Sequence, residues 1–290
     1  MKKSAASAAF DAANHVLLFC IAALCVSPFL FVVSASVSPM NDVLTRKFFI
    51  YPTHVDFSTY RYLLSSVTLV RSIGVSFLIT VVGTILNVAA TMLTAYPLSK
   101  KRLRGRGAVQ FLVVFTMLFS GGMIPTYLIV NALGLIDSLW ALWLPGLISA
   151  FNMILLRNFF QQLSPELEEA AIIDGCNDIV VLARIYFPLS LPSIATFALF
   201  YAVGHWNSYF SAILYLNDQN KWPIQVWLRQ IVILSQGGFS DTVSVSEMGY
   251  VPPQNISFAV IVFATVPILL VYPFLQKYFT KGLMVGSIKG

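Results

Sequence analysis

Long apolar runs alternate with short polar ones along this chain. Six runs stand out, at about 16–37, 73–95, 109–131, 139–156, 190–214 and 256–276. None contains Asp, Glu, Lys or Arg, and His205 is their only titratable side chain apart from Cys and Tyr. About 20 residues of helix cross a hydrocarbon core, where every backbone polar group must be paired within the segment. The pattern therefore predicts an all-α polytopic membrane protein with six transmembrane helices. Three polar segments are long enough to matter. Residues 38–72 are rich in aromatics, 157–189 carry Glu166, Glu168, Glu169, Asp174 and Asp178, and 215–255 are punctuated by Gly237-Gly238 and Pro252-Pro253. Within the last, Lys221 to Ser235 carries Trp222, Ile224, Val226, Trp227 and Ile231 with an amphipathic spacing, expected to form a short interfacial helix. No internal repeat or separable soluble domain interrupts the chain, so 1–290 is expected to be one transmembrane domain.

Composition agrees. The chain is 58% hydrophobic and 10% charged, against about a quarter charged for soluble domains, and its mean hydropathy is +0.79. Basic residues set the orientation. With six spans both termini share a side. That side holds 12 of the 18 Lys and Arg, among them the cluster Lys100, Lys101, Arg102, Arg104 and Arg106 in the short loop 96–108. That loop, both termini and 157–189 are expected to be cytoplasmic, with 38–72 and 215–255 outside. The net charge of +6 is thus a topology signal, and a nucleic-acid partner is not expected from so short a basic run between spans. The first run, about 22 residues long, exceeds the roughly 7–15 of a secretory h-region and reads as a retained span. Cys20, Cys25 and Cys176 have neither disulfide nor metal-ligand spacing.

The segment 164–188 has its own local logic. Ser164 suits an N-cap, and Pro165 at the first helical position gives up a donor that would be unpaired anyway. Glu166, Glu168 and Glu169 follow where the helix dipole favours negative charge. Ala170 and Ala171 leave a thin face, and Gly175 supplies the left-handed residue that ends such a helix. Asn177 or Asp178 can cap a second helix, 179–187, which Pro188 should stop. Physics alone leaves open an ordinary linker between two spans.

Glu169-Ala170-Ala171, three residues, Gly175, nine residues, Ile185, then Phe187-Pro188 resembles the EAA loop in permease subunits of ATP-binding-cassette importers, with Phe187 where the family usually has Leu. The resemblance implies a cytoplasmic coupling helix between the fourth and fifth spans, seated in a cleft of an ATPase subunit, with Glu168, Glu169, Ala170, Ala171, Asp174 and Gly175 facing that partner. The last residues, 277–290, are similar to the tail of carbohydrate permeases related to the smaller subunit of the maltose importer, which implies that Lys281, Gly282, Gly286 and Lys289 reach the ATPase interface. The segments 119–127 and 204–210 resemble a narrower branch that handles oligosaccharides of alginate and pectin. Partners implied are a second permease subunit of different sequence, two ATPase subunits, a solute-binding protein on the outer face, an oligosaccharide and membrane lipid. The resemblance likewise implies the cytoplasmic (inner) membrane of a bacterium as the setting.

No Gly-x-x-x-x-Gly-Lys-Ser/Thr occurs in the chain, and its spans lack the charges that ion-driven carriers generally use. The chain is expected to perform no covalent chemistry and to hold no cofactor or metal, with ATP and Mg on the partner ATPases. Sugars need polar and aromatic groups, so His205, Trp206, Asn207, Tyr209 and Asn152 are candidates for the translocation path. Asn87 and Thr91 read as glue between helices. Rival readings are an importer for peptides or amino acids, an ion-coupled carrier acting alone, and a membrane scaffold without a solute path.

Overall fold

Prolines, glycines and buried side-chain amides, rather than polarity, decide where the apolar runs of this chain are broken. The computed structural model describes residues 5–46, 48–235 and 254–287. Among them there is no strand. In chain order the helices are α1 (Ala5–Ser36), α2 (Met40–Thr45), α3 (Ser58–Ser65), α4 (Val67–Ser99), α5 (Arg106–Leu118), α6 (Met123–Ala132) and α7 (Trp140–Trp143). There follow α8 (Ala150–Phe160), α9 (Pro165–Ile173), α10 (Asp178–Leu189), α11 (Leu191–Trp206), α12 (Phe210–Tyr215), α13 (Ile224–Ser235) and α14 (Gln254–Ser287). Among the described residues two helices are long and apolar enough to cross a membrane, Phe10–Ser36 and Val67–Ser99, or up to four if each of two bent pairs is one span.

The chain divides into two compact units, Met1–Val70 with Trp227–Val266, and Arg71–Val226 with Pro267–Gly290. In the first, Phe31 on α1 gathers Phe48, Phe49 and Phe258 at ring-centroid distances of 5.3, 5.5 and 5.6 Å. The Ser36 hydroxyl pairs with Tyr60 at 2.8 Å. Between Phe10 and Leu30 α1 presents exposed apolar side chains, Phe19 and Leu24 each 74% exposed, as a lipid-facing helix does.

In the second unit α4 is the long central element. The core packs Met92, Tyr96, Met153, Leu156, Phe160, Ala171, Tyr186, Phe197 and Tyr201 from α4, α8, α9, α10 and α11. Three of the expected single rods are interrupted here. The run 109–131 is α5 and α6, meeting at 116°. Gly122 makes the corner at φ +84°, ψ 177°, a region essentially closed to residues with a Cβ. The run 139–156 is split between α7 and α8 around Pro145-Gly146, and the carbonyls left unpaired at Gly146 and Leu147 accept from Asn87 Nδ2 at 2.7 and 2.8 Å. The run 190–214 is α11 and α12, and α11 meets α10 at 87°.

Pro188 does not stop α10, which continues to Leu189. Ahead of it the helix widens into a π-turn over Leu182–Tyr186. A proline removes one intrahelical bond and crowds the carbonyl four residues back, and the wider turn relieves both. The expected interfacial helix is α13, but Trp222, Ile224, Val226, Trp227 and Ile231 are all buried. The Ile224 N–H donates to Ser76 Oγ at 2.8 Å, and Trp222 Nε1 donates to the Leu216 carbonyl at 3.0 Å. The amphipathic stripe packs against protein.

Candidate functional site

Helix α9 begins and ends much as its residues dictate. Ser164 takes the N-cap position with extended backbone and Pro165 follows at the first helical position, though the Ser164 side chain makes no capping bond. At the other end Gly175 sits at φ +82°. The Gly175 N–H donates to the Ile172 carbonyl at 3.0 Å and the Cys176 N–H to the Ala171 carbonyl at 2.9 Å. That pair of bonds is a Schellman ending. The Asn177 side chain then caps α10, accepting from the Val180 N–H at 2.9 Å.

The helix has two distinct faces. Ala171 is buried and the Glu168 side chain nearly so, while Glu169, Ala170, Asp174 and Gly175 are exposed. Glu166, Glu169, Ala170 and Ile173 recur at i, i+3, i+4 and i+7, which places them on one stripe. Ile173 is 85% exposed. The expected coupling set is therefore divided: Glu169 and Ala170 face out with Ile173, whereas Glu168 and Ala171 hold the helix to its own chain. Ile173 was not among the expected residues, although its spacing from Glu169 and Ala170 would have marked it.

Glu168 reaches the end of α4. Its carboxylate pairs with the Lys100 ammonium and accepts from Tyr186 Oη at 3.0 Å, and Lys100 Nζ donates to the same Tyr186 oxygen at 2.6 Å. The ammonium also lies 4.2 and 4.0 Å from the ring centroids of Tyr96 and Tyr186. Burial holds Lys100 below the usual lysine range, and Glu168 opposes that shift. Arg102 Nη2 lies 3.5 Å from Glu168 Oε1 and pairs with Asp178, the first residue of α10. Removing one member of a buried pair typically costs about 3–5 kcal/mol, because the other charge is left unpaired. The last carbonyls of α4, which have no helical acceptor role left, are taken up from other elements. Gln110 Nε2 donates to Leu98 and Gln161 Nε2 to Ser99, each at 3.3 Å. Beside this cluster lies an open cleft of ≈ 570 Å³ between Lys100–Arg102 and α9. The basic cluster, read in the sequence only as a sign of orientation, thus supplies the anchor for α9.

The expected path residues are not one cluster. His205 is half-buried with Nε2 2.5 Å from Asn87 Oδ1; since both N–H groups of Asn87 go to the Gly146 and Leu147 carbonyls, its oxygen accepts and the ring nitrogen donates. Trp206 is buried edge-to-face on Phe77 at 5.1 Å and borders a mostly apolar cavity of ≈ 320 Å³. Asn207 is exposed and its side chain caps the Val203 carbonyl at 2.9 Å. Tyr209 is partly buried just before α12, and Asn152 is buried in the first turn of α8, whose N-cap is Ser149. Thr91 meets Tyr201 Oη at 2.8 Å. Of the tail residues, Lys281, Gly282 and Gly286 lie within α14 and Lys289 lies outside the described residues.

At the opposite end of this unit Asp137 adopts φ 58°. Its carboxylate accepts from the backbone N–H groups of Asn217 and Asp218 at 3.1 and 2.9 Å and from Lys221 Nζ at 2.7 Å. The Lys221 bond, followed by that from Asp218, holds the Asp137 carboxyl below the usual carboxylate range. Among the described residues no group of His, Cys, Asp and Glu is arranged to hold a metal ion.

Residues 4–285 match the family model described as binding-protein-dependent transport system inner membrane component. A polygalacturonan/rhamnogalacturonan transport system permease protein of Bacillus subtilis (strain 168) is 53% identical over 284 residues, 97% of this chain and 98% of that protein. Protein LplC of the same organism is 51% identical over 291 residues, 100% of this chain and 98% of LplC. A crystal structure of a bacterial ABC transporter involved in import of the acidic polysaccharide alginate contains a chain similar to this one. Its TM-score is 0.87 at 34% identity, covering 96% of this chain and 99% of that one.

Proposed function

Since this chain belongs to the binding-protein-dependent transport system inner membrane components, we propose that it is a permease subunit of an ATP-driven importer that passes acidic oligosaccharides into the cytoplasm by alternating access. The relative that is 53% identical is named for polygalacturonan and rhamnogalacturonan, and the structural neighbour imports alginate. Both names point to chains rich in uronic acids. Of the alginate and pectin fragments that the sequence resemblance implied, the higher identity favours the pectin-type.

The single observation that carries the mechanism is the two-faced α9. One face is fastened to its own chain through Glu168 and Ala171, and the other offers Glu169, Ala170 and Ile173 to water. A short helix so held and so exposed suits the cleft of an ATPase subunit. Closing two ATPases on ATP would move α9, and only contacts that differ between two packings of the spans can drive the switch. The reading includes six spans with both termini cytoplasmic, α9 between the fourth and fifth, a second permease subunit of different sequence, and a binding protein delivering sugar outside. ATP and Mg would reside on the ATPases, and the lone-carrier reading finds no support in the family.

The test is purification of the chain with its partners, followed by ATP hydrolysis in liposomes with binding protein and defined oligosaccharides. Oligogalacturonides or rhamnogalacturonan fragments should stimulate hydrolysis, alginate fragments less so, and neutral maltooligosaccharides not at all. Stimulation by a peptide-loaded binding protein, or transport without any ATPase, would refute the assignment.

A further inference from the structure

The end of α4 is bonded to more of its surroundings than a span terminus needs. Solvent or a glycine cap would satisfy its last carbonyls. Instead Lys100, immediately after the helix, is partly buried with its ammonium between two tyrosine rings and a carboxylate from α9. The side chains of Lys100 and Glu168 are only 10% and 12% exposed. Such a pair pays heavily in lost hydration, so it is a poor source of stability and a good source of fixed geometry. The tyrosine hydroxyl completes the circuit, accepting from Lys100 at 2.6 Å and donating to Glu168 at 3.0 Å. Arg102 extends it to the first turn of α10 through Asp178. The covalent path from α9 back to α8 runs through Gln161, Gln162, Leu163 and Ser164, a short non-helical turn that carries no ion pair to α4.

We propose that Lys100 is the positioning residue of the coupling step: the Lys100–Glu168 pair makes α9 and the inner end of α4 one body, so that motion of α9 is delivered to α4 laterally, not along the chain. The proposal rests on α9 being the ATPase-docking helix, and adds the route by which its motion enters the spans. Lys100 touches neither sugar nor nucleotide; it acts through Glu168.

The experiment uses the complete complex in liposomes with its binding protein. Lys100→Met, Glu168→Gln and the double variant should keep the ATPase subunits bound and keep basal ATP hydrolysis. Stimulation by loaded binding protein should fall about tenfold, within the usual range of coupling between sites. The double variant should be no worse than either single one, because both remove the same link. A Lys100→Cys/Glu168→Cys variant, made with Cys20, Cys25 and Cys176 replaced by Ala, should be uncoupled as isolated and regain stimulation when a short bismaleimide joins the two thiols. Singles that retain stimulation within twofold would overturn the proposal. So would a cross-linked complex that stays uncoupled, or loss of the ATPase subunits from the single variants, which would place the pair in docking or folding. Absence of ATPase subunits from the unaltered complex would sink the docking reading instead.

Discussion

Replacing Gly175 separates backbone geometry from partner packing at the end of α9. The residue holds φ +82° in the Schellman ending, and a Cβ built there meets nothing within 4 Å. Within this chain the cost of a side chain is therefore conformational alone. For an L-residue the left-handed region costs about 1–2 kcal/mol, equivalent to roughly a 5–30-fold drop in the population of the docking geometry. Gly175→Ala should weaken ATPase-subunit binding by at most that factor. Gly175→Asn should cost less, since Asn tolerates this region through local hydrogen bonds. Gly175→Val should be the most harmful and should abolish oligosaccharide-stimulated hydrolysis. The assay is titration of ATPase subunits against equal amounts of inserted permease, with stimulated hydrolysis measured alongside. Asn as harmful as Val would refute the reasoning, because the space beyond Gly175 would then be filled by the partner. A harmless Val would show that the left-handed ending is dispensable.

Two other outcomes can be stated from the geometry. At Gly83 a Cβ would lie 2.5 Å from His205 Nε2, so Gly83→Ala must push the ring from Asn87. Its melting temperature in detergent should fall, for a loss of about 1–3 kcal/mol, and Gly83→Ala/His205→Ala should be no less stable than His205→Ala alone. At Asp137, Lys221 and the Asp218 N–H depress the carboxyl's pKa, so the folded chain binds that proton more weakly than the unfolded one. The stabilisation is present above the unfolded value of about 3.9 and is lost as pH falls through the depressed value. The melting-temperature gap between the native chain and Asp137→Asn should therefore be full at neutral pH and close only in strong acid; a gap independent of pH would refute the ion pair.

What could be read in the residues was whatever is local. The all-helical class, the apolar middle of α4, the proline at the start of α9 and the glycine at its end all follow from neighbours within a few positions, whereas α4 runs on past the expected 73–95 to Val67–Ser99. What could not be read depends on distant partners. Hydropathy averaged along 139–156 gives no hint that Asn87, some 60 residues earlier, closes a gap there. Nor does it reveal that a glycine turns 109–131 through 116°. Lys100 and Glu168 each had a sufficient local explanation, in membrane orientation and helix dipole, and only their meeting across 68 positions assigns them a shared task. Among the path candidates, the polarity of His205 and Asn207 was visible, but their hydrogen bonds to Asn87 and Val203 were not.

The widened turn in α10 has a bearing on how this protein tolerates length change. A π-turn accommodates one residue more than the α-helical ladder needs, so removing a single residue between Leu182 and Tyr186 would leave an unbroken helix. Everything beyond would keep its angular phase, because the extra residue is bulged out of the ladder and adds no net turn. Tyr201 would keep Thr91 and the Ser149 N–H it now binds. The same deletion in the regular helix of α4 would instead rotate all that follows by about 100°, one residue's share of a 3.6-residue turn; the widened turn is a place where the chain can lose a residue without a phase error.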